Sequence, residues 1–251
     1  MDLRKFDHNL AEIAGIHVGD GYLRNDGHRI EWDISGSIEE KEYYDKHMIP
    51  LFNRVFKLDM TGRFFPSRST YGFCMRKKEV IEFANKYLGF PYGNKSTIIS
   101  VPQWVLQDKG LYADFLRGYF DTDGNLSFEK KEGYHAKFKR TKHWYPRIHF
   151  STVSKSLSNG IIEILTKLRF NFVDSRYQPK KTTESLKYRI DINGIENVKR
   201  WLQLVDIKNK TKYSRYLIWK KFGFCPTNIS YQQRIDILNG KINPESFYKG
   251  P

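Results

Sequence analysis

The chain has 251 residues, 39% of them hydrophobic and 16% aromatic, enough to bury a core and too many for a disordered chain. Its formal charge of +15 points to a polyanionic partner, nucleic acid or an anionic surface. No window approaches the roughly eighteen apolar residues of a membrane span, and no basic-then-apolar leader opens the chain, so a soluble, non-exported protein is expected.

The first element is "EIAGIHVGDGYL" (12–23), an apolar run of helical length that ends in Asp20-Gly21 and passes into a strand-like stretch. "GYLRNDGHRIEWDISGS" (21–37) follows, two strand-like runs around Asn25-Asp26-Gly27, a hairpin turn signal. Ile30, Trp32 and Ile34 alternate there with Glu31 and Asp33, as in a half-buried strand. A helical stretch, 39–56, leads to strands closing with "TYGFCM" (70–75), then to amphipathic "EVIEFANKYL" (79–88) and "GNKST" (93–97).

The order then repeats. "DFLRGYFDTDGNL" (114–126) opens the second copy, whose hairpin carries the basic insert "KKEGYHAKFKRTKHWYP" (130–146). A helix over 156–170, strand "KYRIDI" (187–192), helix "GIENVKRWLQLV" (194–205) and "KNKTK" (208–212) complete it, with Tyr188 opposite Tyr71. The expected fold is α+β, an αββαββα unit used twice. The expected boundaries are a first unit at 1–100, a linker at 101–111, a second unit at 112–220 and a helical tail at 221–251. Cys74 and Cys225 form no disulfide framework or CxxC pair and fit a reducing compartment.

Gly15 and Gly19 share a face of the first helix, and Gly118 and Thr122 hold the same places in the second. Small residues at that spacing let two helix backbones approach, which sets Asp20 beside Asp123. Gly21 and Gly124 are expected as left-handed helix stops. Two carboxylates at helix C-termini oppose both dipoles and repel each other. A hard divalent cation would resolve this, because it takes carboxylate, carbonyl and water oxygens. Under a basic surface such a pair is equipped for metal-assisted attack of water on a phosphodiester.

"IAGIHVGDG" (13–21) and "LRGYFDTDG" (116–124) resemble the LAGLIDADG motif that names a family of homing endonucleases, and the resemblance runs from Asn9 to Lys220. It implies the single-chain branch, with two antiparallel β-sheets forming a saddle over double-stranded DNA around a central pair of motif helices. It implies that Asp20 and Asp123 bind the metal, Mg²⁺ with Mn²⁺ or Ca²⁺ as substitutes, joined by the carbonyls of Gly19 and Thr122. It places a catalytic lysine near each site, Lys95 and Lys210. The sequence departs from the motif at Arg117, at His17 and Phe120, and at Val18. His17 reads as a packed histidine, Asp121 as a solvated or capping carboxylate, and the five tryptophans as core and hairpin anchors.

Strand parity supplies DNA-contact candidates. If Leu23, Ile30, Trp32 and Ile34 face the helices, then Tyr22, Arg24, Arg29, Glu31 and Asp33 face away. The second copy offers Asn125, Ser127, Glu129, Arg147, His149, Lys187 and Arg189, with Arg176, Gln178 and Lys180 nearby. A two-stranded ribbon fits the major groove, where such side chains read base edges. Lys137, Lys139, Arg140 and Lys142 of the insert are expected along the phosphate backbone.

The resemblance thus implies a monomeric, site-specific endonuclease of intron homing. It would make a double-strand break with short 3′ overhangs at a long site, asymmetric because the copies have diverged. An RNA maturase that binds its intron RNA and a non-cutting DNA-binding regulator of the same fold stay open. An endonuclease embedded in an intein is disfavoured, since "MDLRK" and "FYKGP" carry no splicing residues and the chain reads as free-standing. The expected location is the cytoplasm, nucleoid or an organellar matrix.

Overall fold

The computed structural model describes residues 6–131, 141–179 and 185–248. In chain order the first half comprises α1 (His8–Asp20), β1 (Gly21–Asn25), β2 (Ile30–Ser37), α2 (Lys41–Tyr43), α3 (Ile49–Phe56), β3 (Arg63–Phe65), β4 (Thr70–Met75), α4 (Lys78–Lys86) and α5 (Gln103–Gln107). The second half comprises α6 (Tyr112–Thr122), β5 (Asn125–Glu129), β6 (Tyr145–Thr152), α7 (Lys155–Lys167), β7 (Val173–Tyr177), β8 (Lys187–Asn193), α8 (Ile195–Leu204), α9 (Lys210–Phe222) and α10 (Tyr231–Leu238).

The two sheets are antiparallel and have the same order, β1-β2-β4-β3 and β5-β6-β8-β7. The fold is α+β, a duplicated αββαββα unit with its motif helices paired at the centre. Register confirms the duplication: Gly36 pairs with Tyr71 and Thr152 with Tyr188, so the two tyrosines are equivalent across the longer second hairpin.

Asp7 starts α1 by accepting the Leu10 N–H at 2.9 Å. From Leu10 to Val18 every residue of α1 is buried, the pattern of a helix enclosed on all sides. Its neighbour is α6, and the two backbones touch. A Cβ on Gly15 would lie 2.1 Å from the Phe115 carbonyl oxygen, and one on Gly118 2.1 Å from that of Glu12. Each sheet lays its apolar face on this pair through Leu23, Trp32 and Ile34 on one side and Leu126, Ile148 and Phe150 on the other. Trp32 and Trp201 are fully buried, Trp144 is buried, and Trp104 and Trp219 pack against the core, so all five tryptophans are anchors.

Three local features differ from expectation. Gly21 is extended (φ −78°, ψ 146°), and Gly124 has no positive φ, so neither is a left-handed stop. Space is the reason for both: a Cβ on Gly21 would sit 2.3 Å from His17 Nδ1, and one on Gly124 2.4 Å from Phe120 Cδ2. His17 itself is fully buried and stacked on Phe90 at 4.0 Å between centroids. Burial pushes its pKa far down, so the ring is neutral.

The helix expected over 39–56 is interrupted by a π-helical turn, Tyr44–Met48, closed by the Ile49 N–H on the Tyr44 carbonyl. Pro50 follows and has no N–H to give, so the ladder loses little by relaxing just ahead of it.

The third difference is Asp121, which is completely buried rather than solvated. Beyond the second sheet, α9 and α10 lie against both halves. Trp219 Nε1 donates to the Trp144 carbonyl at 2.7 Å, and the Tyr231 N–H donates to Glu39 Oε1 at 3.2 Å. Buried Arg234 ties them together through Ser214 Oγ at 2.9 Å and the Ile229 carbonyl at 2.7 Å.

Candidate active site

Because α1 and α6 run side by side, their C-terminal carboxylates meet under the saddle. A Cβ on Gly19 would lie 2.1 Å from Thr122 Oγ1 and 3.4 Å from Asp123 Cγ. The last carbonyls of each helix have no intrahelical partner and carry the negative end of the dipole. In both helices a lysine meets them. Lys95 Nζ donates to the Val18 and Gly19 carbonyls at 2.7 and 2.6 Å. Lys212 Nζ donates to the carbonyls of Phe120 at 2.8 Å and Gly124 at 2.7 Å, and to that of Thr122.

Lys210, the expected partner of Lys95, is elsewhere. Its ammonium is exposed and pairs with Glu42 at 2.7 Å. Asn94 and Asn209 do correspond, each accepting a backbone N–H two residues on, at 3.1 and 3.0 Å. Asn209, however, caps α9, which rotates Lys210 outward and brings Lys212 to the motif helix. Sequence reasoning missed Lys212 because adjacency to the Asn-Lys pair hid a helical offset. The carbonyls of Gly19 and Thr122, expected on the metal, each accept from a lysine ammonium.

Asp20 is half-buried, and its Oδ2 accepts the Tyr44 hydroxyl at 2.8 Å. The π turn presents that hydroxyl. Burial and then the charge of Asp123 push the Asp20 pKa up to about 7, against the pull of the Tyr44 hydrogen bond. Glu40 crowds the same place: a Cβ on Gly36 would lie 3.0 Å from Asp20 Oδ2 and 3.3 Å from Glu40 Oε2. Asn209 Nδ2 bridges Glu40 Oε1 at 2.7 Å and the Asp121 carbonyl at 2.8 Å.

Asp121 Oδ2 accepts the Lys208 N–H at 2.9 Å and so fixes the segment that delivers Lys212. Burial raises its pKa to about 7. Asp123 differs from Asp20: its side chain is exposed and accepts no hydrogen bond among the described residues. The surrounding protein still raises its pKa, opposed by Lys95 and then Lys212. A cavity of about 290 Å³ opens beside it, lined by Gly19, Lys95, Tyr119, Ser151 and Lys187.

The donor set is entirely oxygen, and the charge of Asp123 raises the pKa of Asp20, both features that suit a hard divalent cation. Among the described residues no group of three or more His, Cys, Asp or Glu side chains forms a cation cage. An ion held by Asp20 and Asp123 would therefore complete its shell with water and substrate oxygens.

The solvent faces of the sheets carry most of the expected DNA contacts. Tyr22 pairs with Asp33 and Arg24 with Glu31, so all four share the outer face. Arg29 lies in the hairpin loop ahead of β2, beside Arg76 at a second open cavity of about 460 Å³. Arg68 pairs with Asp33 at 2.9 Å and Arg76 with Glu31 at 3.6 Å. Arg63 and Arg68 flank the Phe65 ring at 4.7 and 4.5 Å. Arg63 was missed because β3 is too short to alternate, and Arg68 and Arg76 because they lie outside the strands.

In the second sheet Asn125 pairs with His149 and Ser127 with Arg147 on the outer face. Arg147 bonds Glu129 at 2.7 Å, His149 meets Asp191 at 2.6 Å, and Arg189 stacks on Tyr177 at 4.3 Å. Lys187 pairs with Tyr177 on that face, but Arg176 pairs with Tyr188 and belongs to the opposite one. Gln178 is exposed just beyond β7. Lys142 is tied to Glu245 at 2.6 Å, while Lys137, Lys139, Arg140 and Lys180 fall outside the described residues.

A model of the LAGLIDADG-like domain matches residues 110–206, which hold the second motif and its sheet. That segment of the chain is a LAGLIDADG-like domain. The first half repeats the same strand order behind its own motif helix, so the chain carries the unit twice. Over 245 residues it is 26% identical to a probable translation initiation factor IF-2 of Methanocaldococcus jannaschii, which covers 93% of this chain but 18% of that protein. Two solved structures share the LAGLIDADG fold at about the same TM-score. I-SmaMI bound to an uncleaved DNA target in the presence of calcium ions is 10% identical, with 95% of this chain and 99% of that chain covered and a TM-score of 0.52. The LAGLIDADG meganuclease I-AabMI bound to uncleaved DNA is 10% identical, with 94% and 99% covered and a TM-score of 0.52. No helix among the described residues of this chain is long and apolar enough to cross a membrane.

Proposed function

We propose that this LAGLIDADG protein is a site-specific, double-strand DNA endonuclease that works as a monomer in intron homing. The observation that carries this is the pairing of Asp20 with Asp123, each at a lysine-capped helix end, beneath two sheets whose outer faces bear arginines. The DNA in the I-SmaMI and I-AabMI structures and the calcium of the former support it, as proteins of the same fold. Because the chain spans 18% of the translation factor it matches, we assign it the activity of the shared module and not of that whole protein. We take 1–100 and 112–220 as its two units, joined by 101–111 and followed by 221–251.

Asp20 and Asp123 would hold a divalent cation, Mg²⁺ in the cell, which when bound lowers the pKa of water and polarises the scissile phosphate. The protein's own groups do the rest. Lys95, beside Asp123, supplies positive charge where negative charge grows on the phosphate. Lys212 holds the end of α6 in place. Tyr22, Arg24, Arg63, Arg68 and Arg76 on one face, and Arg147, His149, Lys187 and Arg189 on the other, would read or follow DNA. Their unequal chemistry predicts a long asymmetric site, cut to leave short 3′ overhangs.

Incubation of a randomised plasmid library with Mg²⁺, with cut ends mapped, tests this. Discrete double-strand cuts abolished by Asp20→Asn and by Asp123→Asn are expected. Tight, salt-sensitive DNA binding with no cutting under any divalent cation would overturn it.

A further inference from the structure

The acid pair is symmetric in sequence and unequal in structure. An ammonium has three protons to donate. Lys212 gives all three to carbonyls of α6 and the glycine after it. Lys95 gives two, and no carboxylate lies within ion-pair distance of it among the described residues. Its remaining proton is left to the cavity it shares with Asp123.

The carboxylates differ in the same sense. Asp123 is exposed and accepts nothing among the described residues, whereas Asp20 is half-buried under the Tyr44 hydroxyl with Glu40 crowded beside it. Tyr44 is fully buried, and the π turn holds it there. Among the described residues the equivalent helix of the second unit, α7, brings no hydroxyl or carboxylate within hydrogen-bond distance of Asp123; Leu157 from its first turn lines the open cavity.

We infer that the two strands are cut in fixed order, the Asp123–Lys95 half acting first and the Asp20–Lys212 half held back until Tyr44 and Glu40 yield. This rests on the endonuclease assignment above. In each step water adds to phosphorus and the P–O bond to the leaving sugar oxygen breaks. That oxygen takes up a proton, and the surplus proton of the water passes to solvent. Only the first half has both an uncommitted carboxylate and an uncommitted ammonium proton before DNA arrives. Tyr44 is a positioning residue: it touches Asp20 and not the substrate.

The test uses a supercoiled plasmid carrying a site recovered from the library, at single turnover with Mg²⁺. Nicked circles should accumulate before linear DNA, and primer extension should find the same strand broken in all of them. Lys95→Met should slow that first break by about 10²-fold, the scale of one lost electrostatic contact. Tyr44→Phe should shorten the life of the nicked intermediate several-fold, an effect on strand order that a merely destabilised fold would not produce. Independently of DNA, brief acetylation of the intact protein with mapping by mass spectrometry should modify Lys95 well before Lys212. Linear DNA without a nicked precursor, either strand broken first at random, or Lys212 acetylated as fast as Lys95 would each overturn the fixed order. Failure to cut any DNA, with the acetylation contrast intact, would instead remove the endonuclease assignment and the order with it.

Discussion

The two ends of the motif-helix pair handle buried charge in opposite ways. At the N-terminal end Arg117 crosses from α6 to Glu12 of α1 at 2.7 Å, and His47 meets the other oxygen of Glu12 at 2.5 Å. Burial alone would raise the Glu12 pKa, yet the hydrogen bonds from His47 and Arg117 bring it down to about 2. At the C-terminal end two carboxylates are pressed together, and Asp20 is driven up to about 7. One end satisfies its charges and holds the halves together; the other leaves like charges unresolved, which lowers stability. A site that needs such strain must be braced elsewhere in the fold.

The largest effect should come from the contact that both ends share. Gly118→Val puts a side chain into the Glu12 backbone, which cannot move without separating α1 from α6. A loss above about 4 kcal/mol is expected. Urea unfolding should show no cooperative transition near the wild-type midpoint, and a variant as stable as wild type would break the picture of touching backbones.

Next in size is Arg117→Met. It leaves Glu12 buried with only His47, and breaking a buried pair by removing one partner costs about 3–5 kcal/mol. Glu12→Gln in the same chain should recover part of that loss, because the orphaned charge goes with it. Arg117 was a departure from the motif in the sequence, and its meaning needed the fold: Glu12 lies 105 residues away and becomes its partner only once the helices cross.

Much else was legible. The duplication, the strand parities and the meeting of Asp20 with Asp123 follow from periodicity and from small residues at matching places. What escaped depends on space and not on pattern. Gly21 and Gly124 are required by the rings of His17 and Phe120. The π turn at Tyr44 looks like ordinary helix in sequence, and the face of Arg176 is set by its pairing with Tyr188, which the sequence does not specify.

The two ends should also titrate with opposite sign. Glu12 has a folded pKa below its ordinary value, so its stabilisation is full above about pH 4.5 and drains away as pH falls toward about 2. Asp20 and Asp121 have folded pKa values above theirs, so ionising them in the fold costs stability. That cost grows between about pH 4 and pH 7 and is constant above. Asp20→Asn should therefore lose cutting yet gain about 1–3 kcal/mol above pH 7, after allowance for solvent screening at a half-buried site. Unfolding curves measured across this range should converge with wild type near pH 4. A variant less stable than wild type at pH 8 would show that Asp20 is not strained.

The smallest effect separates two lysines that the sequence places side by side. Lys210 is exposed and among the described residues reaches only Glu42, a carboxylate that also holds Lys46 at 2.9 Å. Removing it leaves no buried group unpaired, and exposed ion pairs contribute little. Lys210→Ala should unfold within error of wild type. Lys212→Met, by contrast, strips a donor from three carbonyls at the end of α6, each of which then needs water in a crowded place. Unsatisfied buried carbonyls cost about 1–3 kcal/mol apiece. Both variants lie in the first turn of α9, and neither Ala nor Met is a poorer helix former than Lys, so lost propensity does not explain a difference. If Lys210→Ala proved the more damaging, the ammonium at the α6 terminus would belong to the wrong lysine.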